Sequence, residues 1–279
     1  MNAPGRCLVD GIATDRVGAD DRGLAYGDGV FETMRWRAGV VPLWPRHRER
    51  LALGCERLRI AMPDLALCGR EVALAADGMD EAVVKLIVTR GGGARGYVAA
   101  RGAEVTRVVR ALPPPTVAAS DYRDGVVLRW CATPLGVNPA LAGVKHLNRL
   151  EQVLARAEWD DPAIAEGLCR DVEGRVVCAT AANLFACIDG RWVTPAVTRC
   201  GVAGVMRGLI LDRAAAATIE VRDMLPAEIE RATEVFLCNS VRGVLPVRRI
   251  AGCEYAIGAA TRGWIAVAAA LGLPPAATA

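Results

Sequence analysis

Three consecutive prolines, Pro113–Pro115 in ALPPPTVAAS (111–120), constrain this chain more than any other feature. Proline fixes its own backbone angle and donates no main-chain hydrogen bond, so the triplet can join neither a helix interior nor a central strand. An extended connector is expected there. It divides the sequence into an N-terminal domain over 1–112, a linker over 113–121 and a larger C-terminal domain over 122–279. The full length of 279 residues suffices for two cores. In the first part RHRERLALGCERLR (46–59) reads as a helix, and VVKLIVTR (83–90) and VTRVVRAL (105–112) read as paired strands. In the second, strands are expected at 126–130, 175–180, 184–188, 191–195 and 234–239, with a hairpin turn at Asp189-Gly190. Helices are expected over 146–159, 203–218 and 259–271, the first burying Leu147, Leu150, Leu154 and Ala157 on one face. Strands and helices mix in both parts, which gives an α+β class.

Several functions are disfavoured. The net charge of +3 is dispersed, with no basic run carrying interleaved aromatics, so nucleic acid is not an expected partner. The best apolar stretch, WIAVAAALGL (264–273), is too short to span a bilayer, and MNAPGRCLVDG lacks the apolar core of a signal peptide, so a cytoplasmic protein is expected. The ten cysteines are scattered without a CxxC pair and read as free thiols of a reducing compartment. With His47 and His146 the only histidines, a metal site is not expected. Serine chemistry is equally poorly served, since Ser120 and Ser240 are the only serines and neither lies in a GxSxG elbow.

GGGARG (91–96) satisfies the GxGxxG pattern, but the residues after it read as loop and strand where a dinucleotide site needs a helix. Arg95 in that loop is read equally well as a solvated side chain or as a guanidinium offered to a carboxylate. GVAGVMRGLILD (201–212) puts small residues before a helix, an arrangement that suits a phosphate and also suits an ordinary helix entry. Only two lysines, Lys85 and Lys145, stand in a chain that otherwise uses arginine. Arginine would serve for surface charge, whereas only lysine can form an imine with an aldehyde. Lys145, between an apolar segment and a helix, is therefore a candidate nucleophile. Lys85, in VVKLIV, could face either side of its sheet and serves as the comparison case.

DRGLAYGDGVFETMR (21–35), VTRGGGARGY (88–97), LAGVKHLNRLEQVL (141–154), AANLF (181–185) and GVAGVMR (201–207) occur in this order and at distances that resemble the class IV, branched-chain-aminotransferase-like enzymes that use pyridoxal 5′-phosphate (PLP). Within that group KHLNRLEQVL is similar to the 4-amino-4-deoxychorismate lyases. The resemblance implies a two-domain fold-type IV PLP enzyme (D-amino acid aminotransferase-like), with the cofactor between the domains and a homodimer as the usual assembly. It implies that Lys145, in the C-terminal domain, is the Schiff-base lysine and that Arg50 grips the cofactor phosphate. By the same resemblance the amides of Val205 and Met206 and the Ser240 hydroxyl would complete the phosphate cup. Arg95 would meet a substrate carboxylate, with Tyr97 nearby, and Thr33 would assist proton transfer. The implied activity is elimination of pyruvate from aminodeoxychorismate to give 4-aminobenzoate, a folate precursor.

One position departs from the family. Five residues before Asn183 the family has a glutamate that keeps the cofactor's pyridine nitrogen protonated; here it is Cys178, and Glu173 lies too far back to replace it. A neutral thiol leaves the ring a weaker electron sink. Elimination is helped by aromatisation of the product ring and transamination is not, so the substitution favours the lyase. Two alternatives remain open at this point: an aminotransferase acting on branched-chain or D-amino acids, with which Glu32 is also compatible, and a PLP-binding relative without turnover.

Overall fold

In the computed structural model, which describes residues 6–93, 96–100, 102–214 and 218–274, contacts divide the chain into two units. The first comprises Met1–Thr116 and Val144–Asn148, the second Val117–Gly143 and Arg149–Ala279. The expected division at the prolines put Lys145 in the C-terminal part. The segment that carries it groups with the first unit, because its main chain pairs with a strand of that unit.

The first unit contains β1 (Cys7–Val9), β2 (Ile12–Ala13), α1 (Arg22–Tyr26), β3 (Gly29–Arg37), α2 (Trp44–Leu58), α3 (Leu65–Ala75), β4 (Glu81–Thr89) and β5 (Thr106–Leu112). Its sheet is antiparallel throughout, in the order β2-β1-β5-β4-β3. Successive side chains in a strand point to opposite faces. Val30, Met34 and Trp36 of β3 and Val84, Leu86 and Val88 of β4 therefore share a core with Leu51 and Cys55 of α2 and Cys68, Val72 and Ala75 of α3. Pro45 sits in the first turn of α2, where its missing N–H costs nothing, and Asp64 caps α3 by accepting from the amides of Ala66 and Leu67.

The second unit contains α4 (Ala119–Asp124), β6 (Val126–Trp130), α5 (Leu150–Arg156), β7 (Ile164–Arg170), β8 (Val176–Ala179), β9 (Asn183–Ile188), β10 (Arg191–Pro195), α6 (Val205–Arg213), β11 (Ile219–Arg222), α7 (Pro226–Glu230), β12 (Glu234–Asn239), β13 (Gly243–Ile250), β14 (Cys253–Glu254) and α8 (Ala259–Ala270). Its mixed sheet runs β11-β10-β9-β12-β13-β6-β7-β8, with β14 paired to β13. Asp189 and Gly190 both adopt positive φ, 50° and 75°, as the tight turn between β9 and β10 requires.

The helix expected over 146–159 forms only from Leu150 to Arg156. Of its expected apolar face, Leu150 (69% accessible), Leu154 and Ala157 are exposed and Leu147 is half-buried; Val153 is exposed as well, and Ala155 is the one residue the helix buries. Residues before it are extended because they bond to β3, so a tertiary partner overrides the helical spacing. Among the described residues no helix is long and apolar enough to cross a membrane, and no cluster of three or more His, Cys, Asp or Glu could hold a metal. All ten cysteines are free thiols.

Candidate active site

Alternation along β3 decides what the first unit can present. Glu32 points to the helix-covered face, where a carboxylate is tolerated only with full hydrogen bonding. Two side chains on α2 supply it. Arg50 Nε donates to Glu32 Oε1 at 2.8 Å and Arg50 Nη2 to Oε2 at 2.5 Å, while His47 Nδ1 lies 2.6 Å from Oε2. Burial alone would push the Glu32 carboxyl up, but Arg50 and His47 outweigh it and hold the group below the ordinary carboxylate range. Burial pushes the His47 imidazole down more than Glu32 raises it. His47 is thus neutral and donates its Nδ1 proton to an ionised Glu32.

The other face of β3 carries Phe31 and Thr33, both half-buried. Beside them lies the Lys145 segment, as a short extra strand. The Phe31 amide donates to the Lys145 carbonyl at 2.9 Å, the Leu147 amide to the Gly29 carbonyl at 3.0 Å, and Val30 bridges to His146. Asn148 Nδ2 donates to the Gly27 carbonyl at 3.0 Å. With Val144 and His146 turned to the core, Lys145 emerges on the Phe31 face, its Nζ 4.2 Å from the ring centroid. Lys85 lies directly across from Thr33, and its Nζ is 4.8 Å from the same ring. Burial and the neighbouring Arg110 both lower its pKa. The two lysines of the chain therefore share one aromatic ring, and Lys85 belongs to the site for which it served only as a comparison. Sequence could not place it because Val83 and Ile87 on its face are as apolar as Val84 and Leu86 on the other.

Among the described residues, no helix lies between Gly91 and β5. Gly91 is needed at the neck of this loop: φ is +80°, and a Cβ there would stand 2.0 Å from the Glu104 carbonyl oxygen. Arg95 lies outside the described residues. Tyr97 is 89% exposed, its ring 5.7 Å from that of Tyr26.

In the second unit, Asn183 opens β9 and shapes the turn into α6. Its Nδ2 donates to the Val202 carbonyl at 3.0 Å, and a Cβ on Gly204 would fall 2.0 Å from its Oδ1. Gly204 has an ordinary φ of −69°, so close approach rather than backbone angle demands glycine. Gly204 is also the N-cap of α6 and gives no side-chain hydrogen bond, so Val205 and Met206 start the helix with no capping side chain over them. That geometry fits an anion. Ser240 lies in the β12–β13 turn, which Asn239 builds by accepting from the amides of Val241 and Arg242.

Cys178 of β8 lies opposite Cys169 of β7 and packs in a cluster with Cys131 and Cys200. Burial, assisted by Cys200, pushes its thiol up to about 12 despite the pull of nearby Arg149, so it is protonated. Two glutamates lie near Cys178 in the chain, Glu166 and Glu173. Glu166 of β7 belongs to the alternate set of that strand, with Leu168, on the opposite face from Cys169 and Cys178, and bonds to the Thr180 hydroxyl. Burial raises its pKa. Glu173 is exposed and paired with Arg175 at 2.5 Å.

Residues 29–250 match the family profile described as amino-transferase class IV. The chain belongs to the class IV aminotransferase family. It is 36% identical to the aminodeoxychorismate lyase of Vibrio harveyi over 263 residues, 91% of this chain and 96% of that one. Among solved structures, the 4-amino-4-deoxychorismate lyase from Pseudomonas aeruginosa superposes with a TM-score of 0.88 at 46% identity, covering 92% of this chain and 96% of that chain. A hypothetical aminotransferase from Mycobacterium tuberculosis, in its PLP-bound form, gives a TM-score of 0.81 at 21% identity, over 95% and 98% of the two chains, which speaks to fold alone. The fold is accordingly fold-type IV, as the motif order implied.

Two outcomes follow from the geometry. The unfolded chain protonates His47 near 6.5, whereas the folded chain resists it, so stability should fall as pH drops below that value. Urea titrations of the wild type and His47→Gln between pH 7.5 and 5 should show a smaller pH slope in the variant; equal slopes would count against a neutral His47. Gly204→Ala should cost about 1–3 kcal/mol by overpacking against Asn183. In an Asn183→Ala background the cost should shrink, and strict additivity would refute the clash.

Proposed function

We propose that this chain is a PLP-dependent 4-amino-4-deoxychorismate lyase that eliminates pyruvate to leave 4-aminobenzoate. The observation that carries the reading is the placement of Lys145 Nζ on the Phe31 face, beside Thr33, in the KHLNRLEQVL context that the lyases share. The cofactor-binding residues proposed are Lys145 and Arg50 of the first unit and the amides of Val205 and Met206, the Ser240 hydroxyl and Cys178 of the second. Two features fit the group: Lys145 is presented as an amine on an aromatic face, and the Gly204 turn leaves the start of α6 open for a phosphate.

PLP supplies an electron sink for the bond that breaks beside the substrate amine. The protein residues then divide the proton work. Lys145 would hold the cofactor, and its Nζ as a free amine would take the proton from the amine-bearing ring carbon of the substrate. The carbon–oxygen bond to enolpyruvate breaks, and the departing group gains a proton from the Thr33 hydroxyl or from Lys145 itself. The remaining ring becomes aromatic. Arg95 and Tyr97 are proposed to meet substrate carboxylate, with the Lys85 ammonium as a further cation on the Thr33 face. If Cys178 faces the cofactor's ring nitrogen, its protonated thiol would offer no negative charge there, which would favour a reaction drawn forward by aromatisation over one that must store charge on the cofactor. The exposed stripe Leu150, Val153 and Leu154 on α5 supports a homodimer, and ten free thiols suit the cytoplasm.

Incubation with aminodeoxychorismate and PLP should release pyruvate and 4-aminobenzoate in equal amounts without any keto-acid acceptor. Turnover that requires a keto acid, with amino transfer to it, would move the assignment to the aminotransferases. Cys178→Glu should raise side transamination while the elimination persists; an unchanged or lower transamination rate would contradict the role given to the thiol.

A further inference from the structure

Sixteen residues separate β4 from β5, although Thr89 and Thr106 already face each other and a two-residue turn could join the strands. Loops of this length in compact units are commonly functional. This one is closed at its neck by Gly91 against Glu104 and is filled from below by a guanidinium. Arg22, on α1, has a side chain only 5% exposed. Its Nη1 donates to the Gly96 carbonyl at 2.9 Å and reaches the Val98 carbonyl at 3.5 Å; its Nη2 donates to the Tyr97 carbonyl at 3.2 Å. Three successive loop carbonyls thus find in one side chain the donors that a neighbouring strand would otherwise provide.

The clamp is tied to the elements that carry the site. Arg22 Nε donates to Asp28 Oδ2 at 2.9 Å, and Asp28 also accepts from Arg90 Nε at 2.8 Å. Burial opposes the Asp28 charge, but Arg90 and Arg22 outweigh it and keep the carboxylate ionised. Arg90 in turn donates to the Leu58 and Arg59 carbonyls at the end of α2, the helix of His47 and Arg50. On the other side, Gly27, the C-cap of α1, accepts from Asn148, three residues after Lys145. Above the clamp, the Arg22 guanidinium lies 4.9 Å from the Tyr26 ring, on which the Tyr97 ring leans. A main chain fixed by buried donors thereby carries an aromatic ring that is almost wholly exposed. Fixing the backbone of an exposed aromatic residue serves a ligand more than it serves the core, because the ring buries little area of its own.

We propose that Arg22 is a positioning residue for the substrate: by holding the main chain of Gly96–Val98 it sets Tyr97 at a fixed place relative to Lys145. The inference rests on the lyase reading and deepens it. Arg22→Lys keeps a cation for Asp28 but cannot serve three carbonyls, and Arg22→Met removes the donors altogether. Either change should raise KM for aminodeoxychorismate about tenfold, with kcat within about threefold and the absorption band of the lysine-bound cofactor unchanged. In a Tyr97→Ala background the added effect of Arg22→Lys should fall below about twofold, because the two residues act as one. A loss confined to kcat, a shifted cofactor band, or full additivity with Tyr97→Ala would reduce Arg22 to a structural residue and overturn the proposal. Amide hydrogen exchange over the loop from Gly91 to Glu104 reads the clamp without turnover, and Arg22→Lys should accelerate it. Unchanged exchange would overturn the proposal even if Arg22→Met failed to fold. A wild-type protein that releases no pyruvate would instead sink the lyase reading, a result separable from either outcome.

Discussion

The placement of Lys145 depends on a few main-chain hydrogen bonds along the free edge of β3. The Phe31 amide reaches the Lys145 carbonyl and the Leu147 amide reaches Gly29, so a five-residue segment becomes an added strand with a fixed register. Because strand side chains alternate, that register alone sends Val144 and His146 into the core and Lys145 to the Phe31 face. A slip of one residue would bury the amine and expose the histidine. Gly29, which pairs with Thr89 and accepts from Leu147, must stay small, since a Cβ there would lie 2.7 Å from both the Leu147 side chain and the Val88 carbonyl oxygen.

The same alternation explains a charge in the core. Glu32 precedes Thr33 and follows Phe31, so a strand that offers Phe31 and Thr33 to one face must carry residue 32 on the other. Placing a carboxylate there gives α2 a reason to face it with Arg50 and His47, and the three side chains lock the helix to the strand. Removing one partner of such a buried set leaves the others unpaired, a loss of about 3–5 kcal/mol. The arrangement fixes the plane of the Arg50 guanidinium as a by-product of folding.

Local chemistry was legible in the sequence, and register was not. Lys145 stood out because lysine is scarce and imine formation has no substitute, and the small residues at 201–204 marked a helix entry that suited an anion and an ordinary start alike. The Asp189-Gly190 turn was written in two residues that tolerate positive φ. The helix over 146–159 was misjudged because its first residues carry helical spacing yet lie next to the β3 edge, a partner more than a hundred residues away. Leu150 and Leu154 then lose their supposed core and stand exposed. Lys85 and Arg22 were invisible for a related reason: their roles come from cross-strand pairing and from the reach of a loop, which no short window contains. The departure at Cys178 was legible as a missing carboxylate. Its protonated state, and the position of Glu166 on the other face of β7, needed the sheet.

The central claim is that Lys145, and not Lys85, is the amine that carries the cofactor, although both stand on Phe31. Borohydride reduction of the protein with added PLP, followed by peptide mass mapping, tests it most directly. The account predicts loss of the visible absorption band and a pyridoxyl group on the peptide containing Lys145. A modification on Lys85 alone, or no band to reduce, would contradict it.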